Sequence, residues 1–245
     1  EFATAEGQCE VANQLPKMNL DGLIIIGGDG SFRGGIVLQE KFNIPVIGVP
    51  ATIDNDIPGT DISIGFDTAL NIAVDAVDKI RDTASSHGRI FGIEVMGRRC
   101  GLLAAHTALA CGAEEMIVPE IKWDLDLICN RIKSGYDRGK DHSIIIVAEG
   151  AAKALDIENE IKNKLNRGVR MVVLGHVQRG GEPSAYDRNL ATKLGTVAAE
   201  MMVSGEYGFM VGMKSNKIHK SKLMKKQSAV RTDILTINKL LHDLN

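Results

Sequence analysis

The chain has 245 residues, with 29 Lys and Arg set against 31 Asp and Glu for a formal net charge of −2. So balanced a surface excludes a general attraction to nucleic acid or acidic membrane and leaves anion binding to local arginines. No apolar stretch is long enough to span a bilayer and no cationic, then apolar, leader opens the chain, while the length suffices for one large or two smaller domains with a sizeable core. The four cysteines, Cys9, Cys100, Cys111 and Cys129, form no CxxC pair and read as reduced, mostly buried thiols of a cytoplasmic protein.

The opening EFATAEGQCEVANQL is patterned like a helix. Strand-like apolar runs follow at residues 22–26, 46–49, 90–95, 116–118, 143–148 and 171–174, each separated from the next by a helical pattern. Alternation of this kind predicts parallel sheets with right-handed crossovers. The clearest helix is expected over 67–85, where Ala69, Ile72, Ala73, Ala76, Val77 and Ile80 share one face. Further helices are expected near 102–110, 124–136, 159–166 and 186–203, and the lysine-rich stretch 214–226 reads as a solvated surface loop.

Glycine-rich and acidic segments fall at strand ends, where open α/β sheets bind ligands. GGDGS at 27–31 follows an apolar strand and precedes a helical run, so its backbone can approach a phosphate closely. Asp29 beside polyphosphate makes sense with Mg²⁺ between them; the alternative is a tight turn with Asp29 as helix cap. PATIDNDIPGTD at 50–61 leaves the next strand, and in an extended segment Thr52, Asp54 and Asp56 would share a side. Asp54 could serve as general base to a sugar hydroxyl, or the loop could be an Asx turn satisfying its own backbone. Arg89 and Arg98 bracket one strand; Arg170 and Arg179, with His176, bracket another. Arginine forks suit phosphates, although each alone fits a surface ion pair and His176 alone fits a backbone-bonded core-edge histidine.

In this order and at these separations, GGDGS, PATIDNDIPGTD, EVMGRRCG and VLGHVQRGG closely resemble the 6-phosphofructokinases of the bacterial type. The resemblance runs from the first residues to near the C-terminus. It implies an α/β fold of two Rossmann-like three-layer domains with mostly parallel sheets, threaded discontinuously. A nucleotide-binding domain would hold 1–63 plus 177–230, and a sugar-phosphate domain 64–176 plus 231–245. It also implies transfer of the γ-phosphoryl of ATP, with Mg²⁺, to the 1-hydroxyl of fructose 6-phosphate. In that pattern Asp54 takes the hydroxyl proton, with Thr52 near the transferred group and Arg98 stabilising it. Asp29 and Asp56 resemble magnesium-side carboxylates, Asp56 also bordering the substrate, and Gly28, Gly30, Ser31 and Gly34 fall where the nucleotide phosphates lie. Met96, Gly97, Glu149 and His176 match sugar contacts, and Arg179 matches a contact to the 6-phosphate. Arg89 and Arg170 match arginines that reach this phosphate from a neighbouring subunit, implying a homo-oligomer, expected to be a tetramer. Arg81, Glu114, Arg138 and Lys140 match part of a nucleotide effector site, implying allosteric control.

The family's opening strand and glycine-rich loop, GGDxPGxN-like, do not occur here, so the expectation is a fold lacking its first strand-helix units and an isolated chain that is inactive or weak. Gly30 and Ala51 favour ATP, because pyrophosphate-using relatives carry Asp and Lys at those places. GGDG also occurs in NAD and lipid kinases, which lack the later motifs. A subunit that only binds sugar phosphate is the non-catalytic alternative, disfavoured by Asp29, Asp54 and Arg98 together.

Overall fold

The computed structural model describes residue 2, residues 4–223 and residues 232–244, and the side chains of all of these except 83–87 and 232. In chain order the elements are α1 (Ala5–Lys17), β1 (Leu23–Gly27), α2 (Asp29–Phe42), β2 (Val46–Pro50), α3 (Phe66–His87), β3 (Ile90–Val95), α4 (Leu102–Cys111) and β4 (Glu115–Ile117). There follow α5 (Leu125–Asp137), β5 (Ser143–Ala148), α6 (Ala154–Leu165), β6 (Val169–Val173), a 3-10 turn (Gly175–Arg179), α7 (Ala185–Ser204), β7 (Phe209–Lys214), β8 (Lys217–Lys222) and α8 (Thr232–Leu244). No described helix is long and apolar enough to cross a membrane. All four cysteines are free: Cys100 and Cys129 are buried, whereas Cys9 is exposed, and burial with a contribution from Asp78 pushes the Cys111 thiol up to about 11.

The chain forms two compact units, Glu1–Phe66 with Pro183–Ala229, and Asp67–Glu182 with Val230–Asn245. These divisions differ from the 63/64 and 176/177 expected from the sequence. Residue 64 stays with the first unit because Ile64 N–H donates to Pro50 O at 3.0 Å and Ile64 bridges Ala51 in parallel. The turn Gly175–Arg179 stays with the second because the Met96 amide donates to Gln178 Oε1 at 2.8 Å.

The first unit is built on a four-stranded sheet in the order β1-β2-β7-β8. Strands β1, β2 and β7 pair in parallel, and β8 returns antiparallel to β7. Every residue of β2 is buried, as its unbroken apolar run demands in a strand covered on both faces. Leu190, Leu194, Ala198 and Met201 of α7 recur at helical spacing and pack on Ile47, Val49 and Val211. Strand β1 forms one edge and leaves Ile26 66% exposed.

The β7–β8 hairpin corrects the expectation of a loop over 214–226, whose residues 224–226 lie outside those described. Lys214 pairs with Lys217, leaving Ser215 and Asn216 at φ 48° and 63° as a two-residue turn of the type that matches strand twist. Lysines belong on an edge strand as much as in a loop, because they discourage further pairing.

The second unit has an all-parallel sheet, β4-β5-β3-β6. Ile144, Ile145, Ile146 and Val147 of its central strand are each 0% exposed. One face packs Ile128, Ile132, Ile157 and Ile161 from α5 and α6. Helix α6 starts at Ala154, earlier than the 159 expected, because Glu94 Oε2 on β3 accepts the Ala154 amide at 2.9 Å. Lys153 supplies no side-chain cap, so a tertiary contact satisfies this end of the helix.

Candidate functional site

In the first unit, GGDGS is not a free loop. Helix α2 begins at Asp29, with Gly28 as an N-cap that makes no side-chain bond, so Gly30 and Gly34 lie within the helix. Asp29 therefore sits in the first turn, where the helix dipole favours a carboxylate, and pairs with Arg33 one turn on. Helical glycine costs about 1 kcal/mol relative to alanine. At Gly35 close packing explains it, since a Cβ would lie 2.6 Å from Ile25 Cδ1. At Gly30 a Cβ would meet nothing within 4 Å. Gly30 and Ser31 present an open, exposed face at the helix N-terminus, the arrangement that receives phosphate.

The acidic loop sits beside this helix start, because β1 and β2 pair in register through Gly27 and Pro50. A Cβ on Gly28 would lie 3.4 Å from that of Thr52. The segment is not extended, so the expected alternation of Thr52, Asp54 and Asp56 does not hold. Thr52 Oγ1 accepts the Asp54 amide at 3.3 Å, and Asn55 turns the chain at φ 49°. Asn55 Nδ2 donates to Asp61 O at 3.0 Å, Ser63 Oγ donates to Thr52 O, and Thr60 Oγ1 accepts the Met213 amide at 3.0 Å. Asp54 is 5% exposed, whereas Asp56 is half-buried. The loop thus holds a buried carboxylate and a more open one next to a helix N-terminus. Among the described residues no group of three or more His, Cys, Asp or Glu could hold a metal by itself.

In the second unit the end of β3 carries Met96, Gly97 and Arg98, and the end of β5 carries Glu149. Glu149 Oε1 accepts the amides of Gly97 at 3.1 Å and Arg98 at 2.8 Å. Gly97 has φ 139°, and a Cβ there would be 2.4 Å from Cys100 O, so only glycine fits. Arg98 adopts φ 52° with its side chain exposed. Glu120 Oε1 accepts the Gly101 amide at 2.8 Å and so caps α4 where this loop ends. The turn Gly175–Arg179 after β6 exposes His176 and Arg179 at the same end of the sheet. Neither Glu120 nor Gln178 was singled out from the sequence; Gln178 lies inside the GHVQRGG motif, but an amide there carries no spacing signal.

A Cβ on Gly150 would come within 1.8 Å of Arg98 O, which ties the strand ends together through backbone. Gly150→Ala is expected to cost about 1–3 kcal/mol, seen as a fall of several degrees in melting temperature. Gly195→Ala, where a Cβ meets nothing within 4 Å in mid-helix, should hold or raise it. Equal melting temperatures for the two variants would show that this approach is not constraining.

Arg89 and Arg170 are not brought to this end. They open β3 and β6, whose starts align as Ile90 with Val169. A six-residue strand separates them from the 96–98 loop, roughly 20 Å at about 3.3 Å per residue. Arg170 is exposed, with Nη1 4.0 Å from Glu158 Oε1.

Glu114, Arg138 and Lys140 line a cleft of about 180 Å³ at the β4 and β5 starts, the same end as Arg89 and Arg170. Lys140 Nζ is 3.1 Å from Glu114 Oε1, and Glu114 Oε2 accepts the Ile144 amide at 2.7 Å. Arg81 does not line this cleft; its guanidinium donates to Cys111 O at the end of α4. Not anticipated was the buried Glu115 below, held by both ends of the Arg131 fork, with His242 Nε2 3.6 Å away.

Residues 1–202 match the family model for phosphofructokinase. An ATP-dependent 6-phosphofructokinase of Natranaerobius thermophilus is 54% identical over 218 residues, 89% of this chain and 68% of that protein. The protein of the same name from Halalkalibacterium halodurans is 52% identical over the same shares. The phosphofructokinase structure from Saccharomyces cerevisiae superposes with a TM-score of 0.83 at 32% identity, covering 100% of this chain and 37% of that one. The chain thus spans about two thirds of the length of these curated relatives and little more than a third of the yeast chain. With its sheets, its strand-end loops and these likenesses together, the chain belongs to the phosphofructokinase family.

Proposed function

We propose that this protein acts as an ATP-dependent 6-phosphofructokinase, moving the γ-phosphoryl group of Mg-ATP to the 1-hydroxyl of fructose 6-phosphate. The observation that carries the reading is Asp54, a buried carboxylate on the loop after β2, next to the open N-terminus of α2. Its role is to accept the sugar hydroxyl proton. A positioned carboxylate is suited to a reaction in which positioning and charge stabilisation dominate. Gly28, Gly30, Ser31 and Gly34 receive the nucleotide phosphates; Thr52 and Arg98 border the group in transit. Met96, Gly97, Glu149 and His176 hold the sugar and Arg179 its phosphate, so the first unit takes nucleotide and the second takes sugar phosphate.

Asp29 and Asp56 suit magnesium, which is commonly held by one or two carboxylates with phosphate oxygens completing the shell. Asp29, half-buried, can exchange the exposed Arg33 at i, i+4 for the ion. An ion held there would neutralise phosphate charge. Arg89 and Arg170, a strand's length from Arg179, serve the site of a neighbouring subunit in a homo-oligomer, which we take to be a cytoplasmic tetramer. The cleft of Glu114, Arg138 and Lys140 receives a phosphorylated effector, Arg81 lying outside its lining.

The open space at Gly30 fits a nucleotide donor, because nothing in the protein requires glycine there. In donor competition on the intact protein, ATP supports turnover and millimolar pyrophosphate does not. Preferential use of pyrophosphate would sink the ATP assignment.

A further inference from the structure

Gln178 is 1% exposed, although it lies between the exposed His176 and Arg179 on the turn after β6. Its Oε1 accepts the Met96 amide at 2.8 Å. That bond fixes the orientation of the carboxamide, since only the oxygen can accept. Its Nε2 is then buried with no hydrogen-bond partner. Orphaned amide donors are costly in an apolar setting, so Gln178 is not the residue that stability alone would select.

The neighbouring bonds show what this arrangement does. The amides of Met96, Gly97 and Arg98 are all held by side-chain oxygens, the first by Gln178 Oε1 and the other two by the single Glu149 Oε1. The loop needs such anchors, since Gly97 and Arg98 occupy left-handed conformations that a chain does not hold unaided. Glu149 reaches the loop from the end of β5. Gln178 reaches it from the turn that carries His176 and Arg179, and so couples two ligand-facing segments.

We propose that Gln178 is a positioning residue of the sugar-phosphate site, setting the spacing between the 96–98 loop and the 175–179 turn. Met96, Gly97 and His176 then meet the same ligand whose phosphate Arg179 holds. This assignment rests on the function proposed above. Gln178 touches neither the reacting atoms nor the ligand; its effect passes through the Met96 amide.

The test compares the intact protein with Gln178→Met, which keeps volume but removes the acceptor, and Gln178→Asn, which withdraws the carboxamide by one methylene. Each is expected to raise the KM for fructose 6-phosphate about tenfold, the value of one buried hydrogen bond. The KM for ATP and kcat should stay within about twofold, and the melting temperature should be nearly unchanged for Gln178→Met. Hydrogen exchange at the Met96 amide should accelerate at least about tenfold while the β3 amides keep their protection. An unchanged KM in either folded variant, or a rise that tracks loss of melting temperature, would overturn the proposal. If the unmutated protein does not phosphorylate fructose 6-phosphate, the function reading fails, and exchange at Met96 still decides whether Gln178 holds the loop.

Discussion

Asp54→Ser is expected to lower kcat by about 10²–10⁴-fold, the usual value of a positioned general base, while the KM for fructose 6-phosphate moves only a few-fold. Serine is small and polar, and the bonds that hold the turn through other groups remain available to it. Thr52 Oγ1 holds residue 54 through its backbone amide, and Asn55 and Thr60 pin the rest of the loop without using the Asp54 carboxylate in those bonds. The loss therefore falls on the chemical step. Steady-state kinetics with saturating Mg-ATP would measure it, with a melting curve to confirm that the variant folds. Turnover within about threefold of the unmutated protein would make Asp54 a structural residue and would place the general base elsewhere.

The second large effect concerns Arg170. Removing a charge-assisted hydrogen bond costs about 1.5–3 kcal/mol, so Arg170→Ser should raise the KM for fructose 6-phosphate by about 10- to 150-fold. The location of that loss carries the argument. Arg170 opens β6, whereas His176 and Arg179 follow the end of the same strand, so one phosphate cannot bridge Arg170 and Arg179 of one chain. Mixing Arg170→Ser chains with Asp54→Ser chains should consequently restore activity. At a mixed interface, one site draws Asp54 and Arg170 from chains that both retain them, while its counterpart lacks both. Unfolding the two variants together and refolding them should recover a substantial fraction of native turnover when assayed near the unmutated protein's KM for fructose 6-phosphate, where each preparation alone is nearly inert. A mixture no more active than its components would place both residues in one subunit's site, against the strand direction.

Much of this protein was legible in its sequence because the relevant signals are local. A β-branched run without alternation reads as a buried parallel strand wherever it sits, as at 46–49 and 143–148, and an apolar face recurring at helical spacing reads as a helix, as from Ala69 to Ile80. The strand-end motifs were equally plain, because glycines, paired carboxylates and arginines stand together within a few residues.

What the sequence did not reveal depends on groups far apart in the chain. Helix α6 begins at Ala154 because Glu94 accepts its first amide from another strand. The 96–98 loop keeps its left-handed turn because Glu149 and Gln178 meet its amides. Lysine-rich text became strand β8 because β7 offered it a ladder. By itself the sequence determined the order of the elements, the family and the residue types available for phosphoryl transfer. Only the tertiary structure decided which of those residues share an end of a sheet, because strand direction and pairing set that, and both are satisfied by hydrogen bonds that no local pattern encodes.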